Sequence, residues 1–334
     1  MIRPLLAITM GDPCGVGPEI AVKVLEETVF YEKARPLVIG DRYRIEESLK
    51  FVSKKLNINV VASPEEGLYQ SGTIDILHVD VPAVAELGYG KVNGVAGKAA
   101  VAYIFKSIEL AKAREVDAVV TGPINKESMH MAGHYYPGHT EIFAQKTDTE
   151  DYAMMLTADG YHVIHVSTHC SLREACDRAK KDRVKKVIKL AHHLIVENKM
   201  PNKNIAVAGL NPHSGENGAF GNEEMEEIIP AMEEIRSEIP EIQIIGPVPP
   251  DSLFVKAKRK DYNVMVVMYH DQGHIPMKII NFDEGVNVTL GLPIIRTSVD
   301  HGTAFGKAGK GTASPQSLNA AIEQAIEMAI NRFY

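Results

Sequence analysis

The sequence predicts an α/β fold built on an open, largely parallel sheet, and three observations carry that expectation. Short apolar runs alternate along the 334 residues with amphipathic stretches of helical period. No repeat or low-complexity linker breaks the alternation. Three of the runs read as buried parallel strands, and each leads to a histidine followed by small or polar residues: His169, His213 and His270.

Leu5–Met10 reads as a first strand, followed by a Gly/Pro loop and a helix from about Pro18. Pro36–Ile39 is a second strand, Ile74–Val79 a third and Ala118–Thr121 a fourth, closed by Gly122-Pro123. Before that fourth strand, Val95–Ala113 spaces Ala99, Ala102, Ile104, Ile108 and Ala111 along one helical face. Arg173–Asn198 is expected to form one helix, with Lys and Arg on one side and Val, Ile and Leu on the other. In the final helix Ser314 can serve as cap and Pro315 suits the first turn, while Leu318, Ala321, Ile322, Ala325, Ile326, Ala329 and Ile330 form the buried stripe.

The length allows two domains or one large α/β body, and Gly, Pro, His and Tyr cluster near 125–135, where a boundary is expected. A formal charge of −7 argues against a nucleic-acid surface, and an anionic substrate would need cations concentrated locally. Three cysteines make no disulfide framework. The start of the chain is unlike a signal peptide, and no apolar stretch approaches the ~20 residues that span a bilayer. A soluble cytoplasmic protein with neither nucleic-acid nor membrane partner is expected.

Gly11-Asp12-Pro13-Cys14-Gly15-Val16-Gly17-Pro18-Glu19 invites comparison with a dinucleotide loop, with Asp41 as the ribose acid. The spacing is wrong for Gly-x-Gly-x-x-Gly, and Pro18 removes a backbone donor where phosphate would need one. A structural turn or substrate-facing loop is the favoured reading. His130 and His134 lack the metalloprotease Glu and sit near Gly133 and Pro137, which favours plain surface residues. Gly138-His139-Thr140-Glu141 is more suggestive, an imidazole and a hydroxyl able to grip a phosphate or carboxylate.

Sequence separations of 44 and 57 residues give His169, His213 and His270 no local metal motif. They converge only if their strands are neighbours, since ligands gather outside the carboxyl ends of parallel strands. On pattern alone, structural histidines and metal ligands remain equal readings. Three imidazoles on one cation would leave positions open for substrate oxygens. Cys170 and Cys176 are either further soft ligands or packing and helix residues. Beyond Lys278 a polar stretch includes Asn281, Asp283, Asn287, Thr289, Arg296, Thr297, Ser298, Asp300 and His301, in which Arg296 suits a bidentate anion grip.

Taken together, Thr9–Pro13 with Gly15–Glu19, Thr121–Lys126, Gly138–Glu141, Thr168-His169, Leu210–Glu216, Tyr269–Gly273 and Gly285–Pro293 with Arg296–Ala304 make the chain similar to the 4-hydroxythreonine-4-phosphate dehydrogenase family. That family includes a branch acting on 4-phosphorylated D-threonate or D-erythronate. His165–Arg173 and Gly273-His274-Ile275-Pro276 look more like this branch than the vitamin B6 branch. The resemblance implies a fold like isocitrate and isopropylmalate dehydrogenases, two α/β domains with an active-site cleft between them. Residues 1–128 with 271–334 would form the cofactor side, and 129–270 the metal, substrate and dimerisation side. It implies a divalent metal (Zn, Mg, Co or Mn) on His169, His213 and His270, and a homodimer with shared active sites. It implies substrate contacts from His139, Thr140, Lys278, Asn287 and Arg296, and an NAD or NADP loop at His301, Gly302 and Thr303.

The implied reaction is oxidation and β-decarboxylation of a 4-phosphorylated four-carbon 3-hydroxy acid, giving dihydroxyacetone phosphate and CO2. Lys278 or Asp271 is expected to carry the protons. The alternative substrate is 4-hydroxy-L-threonine 4-phosphate of pyridoxal 5'-phosphate biosynthesis. Two readings of other classes stay open, a non-catalytic metal-dependent binder of phosphorylated acids and, more weakly, a metallohydrolase.

Overall fold

The computed structural model describes residues 2–334. The chain divides into two compact units, one running to Thr149 and resuming at Leu292–Tyr334, the other comprising Glu150–Gly291. The first begins with β1 (Leu5–Thr9), α1 (Gly17–Leu25), α2 (Thr28–Lys33), β2 (Arg35–Gly40), α3 (Arg42–Ser48), β3 (Asn57–Val61) and β4 (Thr73–His78). It continues through α4 (Gly94–Lys112), β5 (Ala118–Thr121), α5 (Lys126–Met131) and α6 (His139–Lys146). The second holds β6 (Ala153–Ala158), β7 (Tyr161–His165), α7 (Leu172–Arg178), α8 (Lys181–Glu197), β8 (Asn204–Ala208), α9 (Ile229–Glu238), β9 (Gln243–Val248), α10 (Pro250–Lys258), β10 (Val264–Val267), α11 (His270–Ile280) and β11 (Val286–Leu290). The chain then completes the first unit with β12 (Ile295–Val299) and α12 (Gln316–Phe333).

In the first unit the strands lie in the order β3-β4-β2-β1-β5-β12, every neighbouring pair parallel. β1 is buried throughout, as is β5, which explains why each is apolar up to its terminal threonine. β3 was not foreseen: Asn-Ile-Asn-Val-Val is an edge strand, half-exposed and half-polar, with no clean alternation.

In the second unit the order is β11-β6-β7-β10-β8-β9. β11 and β7 each pair antiparallel with β6, whereas β7, β10, β8 and β9 are parallel neighbours. Val267 stands level with His165, and Val266 with Val207, so the carboxyl ends of β7, β10 and β8 lie side by side.

The breaks at 149/150 and 291/292 fall further along the chain than the 128/129 and 270/271 expected from sequence. Packing explains the difference: α5 and α6 lie against α4, and α11 packs on β6, β7 and β10. The helix expected over 173–198 is two helices. Glu227, distant in sequence, accepts from the Lys181 backbone N–H at 2.8 Å and from Lys180 Nζ at 3.0 Å, and so starts α8 afresh. The Ser314 hydroxyl accepts from Gln316 N at 3.3 Å, while Pro315 occupies the cap position itself. Leu318, Ala321, Ile322 and Ala325 are buried as the stripe required. Among the described residues no helix is long and apolar enough to cross a membrane.

Candidate active site

The three histidines follow the carboxyl ends of three adjacent parallel strands, His169 after β7, His270 after β10 and His213 after β8. Cross-strand ties hold these ends level. Ser167 Oγ donates to the Met268 carbonyl at 2.8 Å, and Val166 N donates to Val267 O at 2.8 Å. Gln272 bridges the next pair, accepting from Met268 N at 2.6 Å and donating to Gly209 O at 2.8 Å. The His169 and His270 ring centroids stand 6.2 Å apart.

His213 lies in an unusual turn. His213, Ser214, Gly215, Glu216 and Asn217 all have φ between 43° and 80°, a left-handed run costly for any residue but glycine. Buried Glu224 holds its base, accepting from Leu210 N at 2.7 Å and Asn211 N at 2.8 Å, and Ser214 Oγ donates to Pro247 O at 3.2 Å. His213 itself is exposed and lies 6.1 Å, centroid to centroid, from Phe220.

The donor set suits a divalent cation in kind, since imidazole is a common ligand for such ions. In position the set is partly gathered. The His169 and His270 rings are neighbours, and among the described residues no three His, Cys, Asp or Glu side chains form a ready-made metal cluster. His270 Nδ1 is 2.7 Å from Asp271 Oδ1, which leaves Nε2 as the nitrogen for an outside partner. Cys176 Sγ donates to Leu172 O within α7, and Cys170 is half-buried. Lys278 lies on α11 with Nζ 5.2 Å from the Phe282 ring centre, and Asn287 lies on β11 opposite Leu156.

A second group of predicted residues assembles in the first unit. Arg296, on β12, is only 2% exposed and donates from Nη2 to Thr121 Oγ1 at 2.9 Å, its guanidinium 5.6 Å from the Phe143 ring centre. Burial pulls its pKa down to about 9, opposed by nearby Glu141, so it keeps its charge at neutral pH. His139 and Thr140 open α6. Desolvation and the neighbouring Arg296 hold His139 well below the usual histidine range, so it is a neutral imidazole, and its Nε2 is buried without a protein partner. His130 is exposed against Tyr135, and half-buried His134 meets Phe105 edge-on, in keeping with the plainer reading of both.

The glycines near the N terminus face protein rather than ligand. A Cβ on Gly11 would stand 2.4 Å from Pro123 O, on Gly17 2.0 Å from Met10 O, and on Gly15 2.9 Å from Thr303 Cβ. They permit close packing, and one surface they pack against is the segment carrying His301, Gly302 and Thr303. Val16 N donates to Thr303 O at 3.0 Å, while His301 and Gly302 stay exposed.

Sequence reading missed what fastens that segment. Fully buried Glu19 accepts from Lys23 Nζ at 2.8 Å, Ala313 N at 2.8 Å and Gly311 N at 3.1 Å, and Lys23 donates to Gly311 O and Ala313 O. Glu19→Ala would leave the Lys23 ammonium with carbonyls alone. It should lower stability by about 3 kcal/mol, read as a lower denaturant midpoint at unchanged slope. Asp12 is also fully buried, and desolvation pushes its carboxyl up to about 6.

The architecture and its named relatives place the chain among α/β dehydrogenases. A D-threonate 4-phosphate dehydrogenase of Cupriavidus necator is 45% identical over 331 residues, covering 98% of both chains. The crystal structure of 4-hydroxythreonine-4-phosphate dehydrogenase from Klebsiella pneumoniae is similar with a TM-score of 0.90 at 40% identity, covering 98% of each. A terephthalate 1,2-cis-dihydrodiol dehydrogenase from Burkholderia xenovorans follows with a TM-score of 0.69 at 28% identity, again covering 98% of each. The family model described as pyridoxal phosphate biosynthetic protein matches residues 32–325, and the chain belongs to that family.

Proposed function

We propose that this chain oxidises and decarboxylates a 4-phosphorylated four-carbon 3-hydroxy acid with NAD+ or NADP+, its substrate being 4-phospho-D-threonate or 4-phospho-D-erythronate. One observation carries the reading: three histidines at the edge of three adjacent parallel strands, in a chain 45% identical to a D-threonate 4-phosphate dehydrogenase.

His169, His213 and His270 are the residues that would hold a divalent cation, zinc, magnesium, cobalt or manganese. Such an ion polarises a hydroxyl oxygen and lowers the cost of negative charge on it. Arg296 brings a buried, permanent cation toward the substrate's anionic groups, and His139 and Thr140 bring neutral donors at a helix N terminus. Lys278 and Asn287 complete the grip. His301, Gly302 and Thr303 take the nicotinamide cofactor, on a segment seated by Glu19 and Lys23.

A bound nicotinamide would supply the acceptor for hydride from carbon 3, and Lys278 would take the hydroxyl proton. The bond between carbons 1 and 2 then breaks, CO2 departs, and the electron pair remains as an enolate until a proton returns to carbon 2. Dihydroxyacetone phosphate is the product. Asp271 is assigned mainly to orienting His270, because its carboxylate already holds the Nδ1 edge of that ring. A homodimer with shared sites belongs to the reading, and the exposed Ile279 and Phe282 on and after α11 offer apolar surface for a second copy.

Comparison of kcat/KM for the D-threonate, D-erythronate and 4-hydroxy-L-threonine phosphates with each cofactor tests the proposal. One of the two sugar acids should lead. A lead for the amino acid moves the chain to the B6 branch. Metal-dependent binding with no cofactor reduction by any of the three makes it a binding protein instead.

A further inference from the structure

The two segments that favour the sugar-acid branch, 165–173 and 273–276, meet in the fold through a pair of histidines. His165 closes β7, is fully buried, and sets Nδ1 3.2 Å from the carbonyl oxygen of Met154 on β6. A carbonyl only accepts, so that nitrogen carries the ring proton and Nε2 is left as an acceptor. His274 Nδ1 lies 3.1 Å from this Nε2 and 3.3 Å from the His270 carbonyl, and both contacts require it to be the donor. The Met154 and His270 carbonyls thus favour a proton on Nδ1 of each ring.

His274 passes this order outward. Its ring lies against that of His270 with centroids 3.7 Å apart and planes 10° from parallel. Gly273 lets α11 come close to β7 here, since a Cβ there would stand 2.7 Å from His165 Nε2 and 2.6 Å from Val163 Cγ1. His270 is thus held on one edge by Asp271 and across one face by His274.

We propose that His165 and His274 are positioning residues, a buried pair that fixes the plane of the His270 imidazole. The pair works through His270 and touches no reacting atom. The inference rests on the proposed function for the role of His270; the hydrogen bonds do not.

Two measurements test it. Imidazole nitrogen NMR on the metal-free, full-length protein should find both His165 and His274 protonated on Nδ1. Competition against a chelator should then show Co2+ binding about tenfold weaker in His165→Phe. His165→Gln, which restores an acceptor near the lost Nε2, should return it to within about threefold of wild type, on the same scale. Far-UV circular dichroism confirms that both variants are folded. A proton on Nε2 of either ring, or equal Co2+ affinity in His165→Phe and wild type, overturns the inference alone. Absence of Co2+ binding by the wild-type protein overturns the metal reading and takes the inference with it.

Discussion

His213→Ala should abolish metal-dependent turnover, with kcat/KM falling by at least about a hundredfold in metal-buffered assay, since even outer-shell partners of metal ligands are worth ten- to a hundredfold. The fold should survive. The left-handed turn is secured by Glu224, Asn211 and Ser214, and the imidazole itself is exposed. Unfolding free energy should therefore change by no more than about 1 kcal/mol. Chelation should inactivate the wild-type protein and leave the residual activity of the variant unaltered. Undiminished activity in His213→Ala would remove this residue from the metal site.

Arg296→Met should act almost as strongly, by a different route. The guanidinium is buried, donates to Thr121 and lies near Glu141, so its loss would remove the proposed anion grip and leave a carboxylate without its counter-charge. We expect kcat/KM to fall about a hundredfold and stability to drop by about 3 kcal/mol. Arg296→Lys should recover part of the stability but little of the activity, because an ammonium cannot reproduce the planar fork. The decisive readout is the preference for phosphorylated over unphosphorylated acid. That ratio should collapse in Arg296→Met, whereas general damage to the fold would lower both activities together.

How much of this was legible in the sequence depends on whether the cause is local. β1, β5 and β10 announce themselves because strands covered on both faces must be apolar throughout. The placing of His169, His213 and His270 followed from the same logic, as the order β7-β10-β8 makes their strands neighbours. The break between α7 and α8 was invisible, because a carboxylate nearly fifty residues away starts the second helix. The turn at 213–217 was invisible too, since four of its five residues with positive φ are not glycine.

His165 left a faint signal that only the structure interprets. A polar ring interrupts an apolar run, and its partner sits beside a glycine in Gly-His-Ile-Pro. No neighbouring residue marks Glu19, Glu224 or Asp12 as buried, and only the packing reveals it.

The central claim is that one chain couples oxidation at carbon 3 to loss of carbon 1. It is tested most directly with 4-phospho-D-threonate and 4-phospho-D-erythronate labelled at carbon 1, each incubated with oxidised cofactor and a divalent metal, measuring reduced cofactor and labelled CO2 in the same reaction. The account predicts equal amounts of both from at least one of them, neither forming when chelator is present. Cofactor reduction without labelled CO2, or phosphate release without cofactor reduction, would contradict it.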